Sequence, residues 1–201
     1  MTSRADIAAV VAKYQTEALI IAGSAGGVDA LLTLLPQLPP RFSLPVVCML
    51  HLPADRESRL AELFDARIIP PVREAHDKLP LSGYTVYFAP SGYHLSIERD
   101  RAFSLSCEAP VHFARPAIDV LLESAADAYG AGLAAILLTG ANQDGAAGMA
   151  RVRQRGGLTV VQDPAGAQAS TMPESAIKRC PPDLVLPLAE IGALFPLLEK
   201  L

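Results

Sequence analysis

Cysteine is scarce in this chain of 201 residues, which has three cysteines at wide spacing: Cys48, Cys107 and Cys180. An odd number of cysteines with no Cys-x-x-Cys pair excludes a disulfide framework and a cysteine-ligated metal site. Cys48 lies within an apolar run and is predicted to be a buried thiol. We therefore expect a protein of a reducing compartment that uses neither a metal nor any other cofactor.

Long apolar runs and clusters of basic residues are also missing. The longest apolar run near the N-terminus is Ile7–Ala12, whereas a signal-peptide core needs about 7–15 residues and a membrane span about 20. The net charge is −4 and no block of Lys and Arg stands out, so the sequence lacks the charge pattern of a nucleic-acid surface. We expect a cytoplasmic protein that neither inserts into a membrane nor binds nucleic acid.

Apolar side chains are abundant instead: 51% of the residues are hydrophobic and 19% are charged. This balance excludes a disordered chain. The 14 glycines and 17 prolines indicate many turns. The length is that of one domain at about 100–200 residues per domain, so we predict a single domain over residues 1–201 with a leading helix within residues 1–16.

Short apolar runs alternate along the chain with amphipathic segments, a pattern typical of a parallel sheet covered by helices on both faces. The predicted strands are Ala18–Gly23, Pro45–Leu50, Tyr84–Ala89, Leu133–Leu138, Leu158–Gln162 and Leu184–Leu186. The predicted helices are Val28–Leu35, Asp55–Phe64, Pro116–Tyr129, Asp144–Arg155, Pro173–Lys178 and Leu188–Leu201, the last kinked at Pro196. Two alternating segments, His94–Glu98 and Ala102–Cys107, predict a β-hairpin. The expected fold is a three-layer α/β/α sandwich with a mainly parallel, doubly wound sheet and a small antiparallel hairpin.

Ligands of such sheets bind beyond the carboxyl ends of the strands. The residues expected at that edge are Ser24, His51, Pro90–Gly92, Thr139–Asp144 and Gln162–Asp163. Small residues surround Ser24, so a tight strand-to-helix turn can expose its hydroxyl beside helix N–H groups that could stabilise an oxyanion. Two other interpretations remain open at this point: an ordinary helix N-cap, or a dinucleotide loop, although the glycines lack the G-x-G-x-x-G spacing.

His51 directly follows the second strand, where a neutral imidazole could accept the proton of Ser24 near pH 7. Asp144 could orient that imidazole, or it could simply cap a helix. Asp119 and Asp163 are rival candidates for the same orienting role. The other three histidines, His76, His94 and His112, are predicted to be surface or packing residues, although His94 could brace the site. Serine, histidine and aspartate at one sheet edge predict acyl transfer through a covalent intermediate.

Several motifs in one order resemble the catalytic domain of the chemotaxis protein-glutamate methylesterases, the CheB family, over residues 18–190. The matching segments are Ile20–Gly27 (IIAGSAGG), His51–Pro53 (HLP), Val72–Ala75 (VREA), Tyr87–Leu95 (YFAPSGYHL), Arg115–Val120 (RPAIDV), Leu138–Gly140 (LTG), Asp144–Ala146 (DGA), Gln162–Pro164 (QDP) and Met172–Pro173 (MP).

The resemblance implies a serine hydrolase in which Ser24 is the nucleophile, His51 the base and Asp144 the orienting acid. Its substrates would be methyl esters of glutamate side chains on the cytoplasmic helices of chemoreceptors, with deamidation of receptor glutamines as a common second activity. Backbone N–H groups near Ala25 and Ala141 are the expected oxyanion donors. No oligomeric state follows from the sequence.

The sequence departs from the family pattern at several positions around the expected site. Ala25 replaces a threonine, Ala141 a methionine and Leu63 an arginine, while Arg56 and Glu57 stand where Phe-Thr is usual. About 17 residues precede the first strand, too few for the receiver domain that family enzymes usually carry. Two alternatives are an esterase or amidase of this fold with a non-receptor substrate, and a non-catalytic regulatory module.

Overall fold

The computed structural model describes residues 4–52 and 58–199 of the chain. Its strands are β1 Ala18–Gly23, β2 Val46–Leu50, β3 Val72–Glu74, β4 Val86–Phe88, β5 His94–Ile97, β6 Phe103–Ser106, β7 Leu133–Leu137, β8 Leu158–Gln162 and β9 Leu184–Leu186. Its helices are α1 Arg4–Val11, α2 Gly27–Leu34, α3 Leu60–Asp65, α4 Ile118–Tyr129, α5 Ala146–Gln154, α6 Thr171–Arg179, α7 Leu188–Gly192 and α8 Phe195–Leu198.

Seven of the strands form one sheet in the order β3-β4-β2-β1-β7-β8-β9, and each pair of neighbours is parallel. All six residues of β1 are buried because this strand lies at the centre with helices on both sides. Ile20, for example, lies between Val47 of β2 and Ala135 of β7. The predicted fold class is confirmed.

The small antiparallel hairpin is also confirmed. β5 pairs with β6, and in this register Leu95 lies opposite Leu105 and Ile97 lies opposite Phe103. The buried side chains of the hairpin pack on α4 and the adjacent core. The hairpin therefore extends the layer that covers one face of the large sheet.

The helices divide into two groups, one on each face of the sheet. We call the face covered by α1, α2, α3, α7 and α8 the apolar face, and the face covered by α4, α5, α6 and the hairpin the site face. Along β1, Leu19 and Ile21 point to the apolar face while Ile20 and Ala22 point to the site face. This alternation is the period of two that a strand imposes.

Close contact between α4 and α5 depends on Gly148. A Cβ atom at this position would lie 2.5 Å from Cβ of Leu122, which is closer than two carbon atoms can approach. Glycine therefore allows the two helices of the site face to lie against each other. This contact places the N-terminus of α4 beside the loop that precedes α5.

Several predicted boundaries were wrong. The chain after β9 forms two short helices, α7 and α8, and Pro196 lies in the first turn of the second one rather than at a kink. α4 begins at Ile118, since Ala117 is its extended N-cap. α5 begins at Ala146, after Gly145 in a left-handed conformation. α3 is observed from Leu60 onward, and the predicted start at Asp55 lies outside the described residues.

Among the described residues, no helix combines the length and apolarity needed to cross a membrane. Of the three cysteines, Cys48 is completely buried in β2, as predicted, and its burial raises the pKa of the thiol. Cys107 and Cys180 are free thiols as well.

Candidate active site

Three chain segments meet at the carboxyl edge of the central strands. Ser24 follows β1, and its N–H donates to the carbonyl of Thr139, which follows β7, at 2.9 Å. His51 follows β2, and its N–H donates to the carbonyl of Gly23 at 3.4 Å. These backbone bonds continue the sheet beyond its strands and bring the Ser24, His51 and 139–145 segments together.

The turn after β1 does not use the half-buried Ser24 side chain as a helix cap. Gly26 is the N-cap of α2, with a left-handed φ of 79°, and no side chain caps this helix. The N–H of Gly27 donates to the carbonyl of Ser24 at 2.8 Å and closes the turn. The N-cap interpretation of Ser24 was therefore wrong, because the glycine takes the conformation that the turn requires.

A chain of hydrogen bonds links the three side chains. The Ser24 Oγ lies 3.1 Å from His51 Nδ1, and His51 Nε2 lies 2.8 Å from Asp144 Oδ2. A carboxylate can only accept, so the imidazole carries its proton on Nε2. Nδ1 is then the acceptor for the Ser24 hydroxyl, which is the arrangement that a general base needs.

Asp144 is completely buried and holds its charge through hydrogen bonds. Its two oxygens accept the backbone N–H groups of Ile118 at 2.7 Å, Asp119 at 2.9 Å and Gly145 at 2.9 Å. Burial acts to raise the pKa of Asp144, but the bonds from His51, Asp119 and Ile118 outweigh it and hold the pKa below its ordinary value. The positive N-terminal end of α4 thus stabilises the carboxylate that faces the imidazole.

The two rival aspartates have other partners. Asp119 Oδ1 accepts the N–H of Gly148 at 2.7 Å, and its Oδ2 lies 3.4 Å from Nε2 of His112. Burial raises the pKa of the Asp119 carboxyl, and the nearby charge of Asp144 adds to that effect. Asp163 accepts the N–H of Ala165 at 3.0 Å and caps a short 3-10 helix. Of the three aspartates, Asp144 is the one bonded to His51.

The backbone near the two expected oxyanion donors is held by Thr139. Its hydroxyl donates to the carbonyl of Ala25 at 2.8 Å and accepts the N–H of Ala169 at 2.9 Å. The N–H of Thr139 donates to Oε1 of Gln162 at 2.8 Å. Ala25 and Ala141 are themselves exposed beside the site. Their role as oxyanion donors stays a prediction.

Thr139 and Gln162 carry a positioning role that the sequence reasoning did not assign to them. Both were placed at the correct edge of the sheet, where they follow or end a strand. The useful signal in the sequence is that each is a polar residue next to a run of apolar strand residues, which indicates burial. Both are completely buried in the structure. A polar side chain in such a position must find hydrogen-bond partners, which here are backbone groups of the site loops.

His94 braces the segment that leads into α4. Its ring is buried, with Nδ1 accepting the N–H of Ala117 at 3.2 Å and Nε2 donating to the carbonyl of Ala109 at 3.1 Å. His76 is exposed, as predicted. His112 is partly exposed and forms the contact with Asp119 that no sequence pattern indicates.

A cavity of about 480 Å³ opens beside the imidazole. Its walls are His51, Leu52, Asn142 and the segment formed by Pro110 and residues 112–116. His51 is the residue of the Ser24–His51–Asp144 series that lines this cavity. Of the residues that differ from the family pattern, Leu63 packs against the core of the apolar face, and Arg56 and Glu57 lie outside the described residues.

Within the described part of the chain, one group of side chains has the spacing of a metal site: atoms of His112, Asp119 and Asp144 lie within 4.8 Å of one another. Both oxygens of Asp144 already accept hydrogen bonds from N–H donors. Asp119 likewise accepts from Gly148 and faces His112. The four hydrogen bonds occupy the lone pairs of Asp144, so this carboxylate has none left for a cation.

Comparisons with known proteins find similar sequences and a similar structure. The sequence profile described as CheB methylesterase matches residues 19–195. A putative protein-glutamate methylesterase/protein-glutamine glutaminase of Leptospira interrogans is 42% identical over 184 residues, which are 92% of this chain and 95% of that protein. A protein-glutamate methylesterase/protein-glutamine glutaminase of Hahella chejuensis is 41% identical over 183 residues, which are 89% of this chain and 50% of that protein.

A solved structure matches over nearly the same span. The CheB methylesterase catalytic domain of Thermotoga maritima superposes with a TM-score of 0.85 and 31% sequence identity, covering 90% of this chain and 97% of that one. The seven-stranded parallel sheet and the small hairpin are therefore shared features of the two proteins.

Proposed function

The chain belongs to the CheB methylesterase family, and we propose that it hydrolyses methyl esters of glutamate side chains on chemoreceptors. The observation that carries this proposal is the hydrogen-bonded series Ser24–His51–Asp144, with distances of 3.1 and 2.8 Å. Ser24 is the nucleophile, His51 the general base and Asp144 the carboxylate that orients it.

The first half of the reaction forms an acyl-enzyme. Oγ of Ser24 attacks the ester carbonyl while its proton passes to Nδ1 of His51, which gives a tetrahedral intermediate. The N–H groups of Ala25 and Ala141 stabilise the oxyanion. The C–O bond to the methoxy group breaks, His51 returns the proton to the leaving group, and methanol departs.

The second half restores the serine. Water attacks the glutamyl-serine ester while His51 accepts its proton, and the bond to Oγ then breaks. The proton returns to Ser24 and the products are the glutamate carboxylate and free enzyme. An amide in place of the ester follows the same steps with ammonia as the leaving group, so glutamine deamidation is a second proposed reaction.

The proposed partner is a cytoplasmic helix of a methylated chemoreceptor, and the proposed location of the protein is therefore the cytoplasm. The family match over residues 19–195 supports one catalytic domain, with α1 at Arg4–Val11 as its leading helix. None of the proposed steps calls for a cofactor.

Labelling with a fluorophosphonate probe, measured beside methanol release from methylated receptor, tests this proposal. Ser24→Ala and His51→Ala should both lose labelling and methanol release by several powers of ten, because the triad acts as a unit. Ser43→Ala is the matched control, since Ser43 precedes β2 and lies at the opposite edge of the sheet.

The outcomes separate the alternatives. Labelling without methanol release would keep a serine hydrolase and discard the receptor as its substrate. A native protein that neither labels nor releases methanol would contradict the enzymatic proposal and favour a regulatory module. Equal labelling of the native protein and Ser24→Ala would assign the nucleophile to another residue.

A further inference from the structure

Phe113 is the most exposed of the large hydrophobic side chains in residues 4–52 and 58–199. Its exposure is 103% of the reference value, followed by 73% for Ile69 and 58% for Tyr84. It also lines the cavity that contains His51. An isolated exposed apolar residue needs no explanation by itself, but this one stands at the wall of the proposed active site.

The backbone presents this side chain by means of a tight turn. Val111 and Ala114 exchange two backbone hydrogen bonds, of 3.1 and 2.9 Å, and the two residues between them have φ values of 50° for His112 and 62° for Phe113. Both φ values lie in the left-handed region, which residues other than glycine rarely adopt. The surrounding contacts must hold the turn in this form.

Those contacts come from both ends of the segment. Nη1 of Arg115 donates to the carbonyls of Cys107 and Glu108, at 3.0 and 3.1 Å. These bonds join the two ends of the segment 107–115 that contains the turn. His112 lies 3.4 Å from Asp119, whose own N–H donates to Asp144 at 2.9 Å. The turn is thereby tied to the N-terminus of α4, the same helix end that holds the carboxylate of the proposed triad.

We infer that Phe113 is a substrate-docking residue that packs against the receptor helix on which the methyl ester is carried. This inference rests on the proposed function. The ester must reach Ser24 Oγ, 3.1 Å from the His51 ring that lines this cavity, so the helix that bears the ester must pass close to the cavity wall that includes Phe113. Neighbouring side chains on one face of a helix are three and four positions apart, and Phe113 contacts an apolar one at such a spacing from the methylated glutamate.

This arrangement predicts a division between two kinds of substrate. A small probe that reacts with Ser24 leaves most of this exposed ring in contact with water. A helical substrate covers the ring and removes it from water, which is the situation in which aromatic residues contribute most to recognition. Phe113 should therefore affect the reaction with receptor and leave the reactivity of Ser24 unchanged.

The test compares Phe113→Asn, Phe113→Trp and Tyr84→Asn with the native protein. Asn adopts left-handed backbone more readily than other residues, so Phe113→Asn keeps the turn and removes the ring. Tyr84 is the matched control because it is an exposed aromatic residue with a φ of 60° that precedes β4 at the opposite edge of the sheet. The two readouts are kcat/KM for methanol release from methylated receptor and the rate of fluorophosphonate labelling.

The expected result is a fall of about tenfold or more in kcat/KM of Phe113→Asn on receptor, mainly through KM. Its labelling rate should stay within about twofold of native, and Phe113→Trp and Tyr84→Asn should retain receptor turnover. Unchanged receptor turnover in Phe113→Asn overturns the inference. An equal loss of turnover and labelling also overturns it, because the residue would then shape the site itself. A native protein that labels but releases no methanol from receptor overturns the proposed function first, and the docking role with it.

Discussion

The two faces of the central sheet are built from similar apolar clusters but bury different chemistry. On the apolar face, α1, α2, α3, α7 and α8 cover the strands, and aromatic side chains such as Phe64, Phe88 and Phe195 fill the space between them. The site face has an equally apolar cluster under α4 and α5. Among the described residues, the buried carboxyls Asp119 and Asp144 and the buried imidazole of His94 all belong to elements of the site face.

This difference shows where each kind of interaction is used. Apolar burial stabilises the fold in proportion to the area removed from water and requires no particular orientation. A buried carboxylate is tolerated only when its oxygens are satisfied, and Asp144 uses the backbone N–H groups of Ile118 and Asp119 for that purpose. Changes on the apolar face should therefore cost stability, whereas changes to the polar groups of the site face should cost activity.

The largest expected effect is that of Asp144→Asn. In this variant the side-chain amide at position 144 can donate its N–H to Nε2 of His51. The imidazole then carries its proton on Nδ1 and can no longer accept the proton of Ser24. We expect kcat for methyl ester hydrolysis to fall by about 10⁴-fold, as for the equivalent change in a Ser-His-Asp triad. Asp163→Asn is the control, since Asp163 also follows a strand but caps a 3-10 helix. Turnover of Asp144→Asn within tenfold of native would contradict the orienting role.

The apolar face should give the opposite result with Phe195→Ala. Phe195 is completely buried on α8, with its ring centroid 6.1 Å from that of Phe42. Removing a buried phenylalanine leaves a cavity and costs about 3–5 kcal/mol of the free energy of unfolding. Denaturant unfolding measures this loss, and active-site titration of the folded fraction should give a kcat close to native. A large fall in kcat per folded molecule would mean that the two faces are not separable.

The pH dependence of stability offers a third comparison, now within the site face. The pKa of Asp144 is lowered in the folded protein, because its hydrogen bonds outweigh the effect of burial. Such a group stabilises the fold above its unfolded-state pKa of about 3.9, and this contribution is lost as the pH falls through the folded-state pKa. The free energy of unfolding of native protein relative to Asp144→Asn should therefore decrease as the pH is lowered below about 4.

Asp119 provides the control of opposite sign. Burial raises its pKa in the folded protein, so its contribution to stability is present below the unfolded-state pKa and is lost as the pH rises through the folded-state value. Relative to Asp119→Asn, the native protein should lose stability as the pH rises over that range. Urea unfolding between pH 3 and 7 measures both differences, and parallel pH profiles for the two variants would contradict the assignment.

The local sequence pattern predicted the strands that are short apolar runs and missed β3, which is not one. β1, β8 and β9 have their predicted boundaries because each is a short apolar run between turn residues. β3 was not predicted: it has three residues, lies at the sheet edge and is only partly buried, so it lacks the apolar run that marks the central strands. The start of α4 was placed two residues early because Pro116 favours a first helical turn, whereas Ala117 is extended here.

Only part of the candidate site could likewise be predicted from the sequence. Parallel strands bring their carboxyl ends to one edge, so the positions of Ser24 and His51 follow from the order of elements alone. The choice of Asp144 over Asp119 and Asp163 does not follow from that order, because it depends on the approach of α4 to the loop before α5. The turn that exposes Phe113 depends on contacts distant in sequence, which no local pattern contains.

The smallest expected effect concerns Asp127, the second aspartate on α4. The Asp127 carboxylate accepts hydrogen bonds from Arg151 at 2.7 Å and from Arg155 at 2.9 Å, and its side chain is 43% exposed. Exposed ion pairs contribute roughly 0.2–1 kcal/mol and are screened by salt. Asp127→Asn should therefore lower the free energy of unfolding by less than about 1 kcal/mol at low salt.

The same variant tests what makes the polar groups of the site face important. In 1 M salt the difference between Asp127→Asn and native protein should become smaller still, because the Debye length falls to about 3 Å, while kcat should be native at both salt concentrations. Asp144→Asn, measured beside it, should lose activity at both salt concentrations, since the native Asp144 carboxylate is buried beyond the reach of screening ions. If Asp127→Asn also lost activity, the charge of α4 as a whole would govern the site, and the burial and direct contact of Asp144 would not be its distinguishing features.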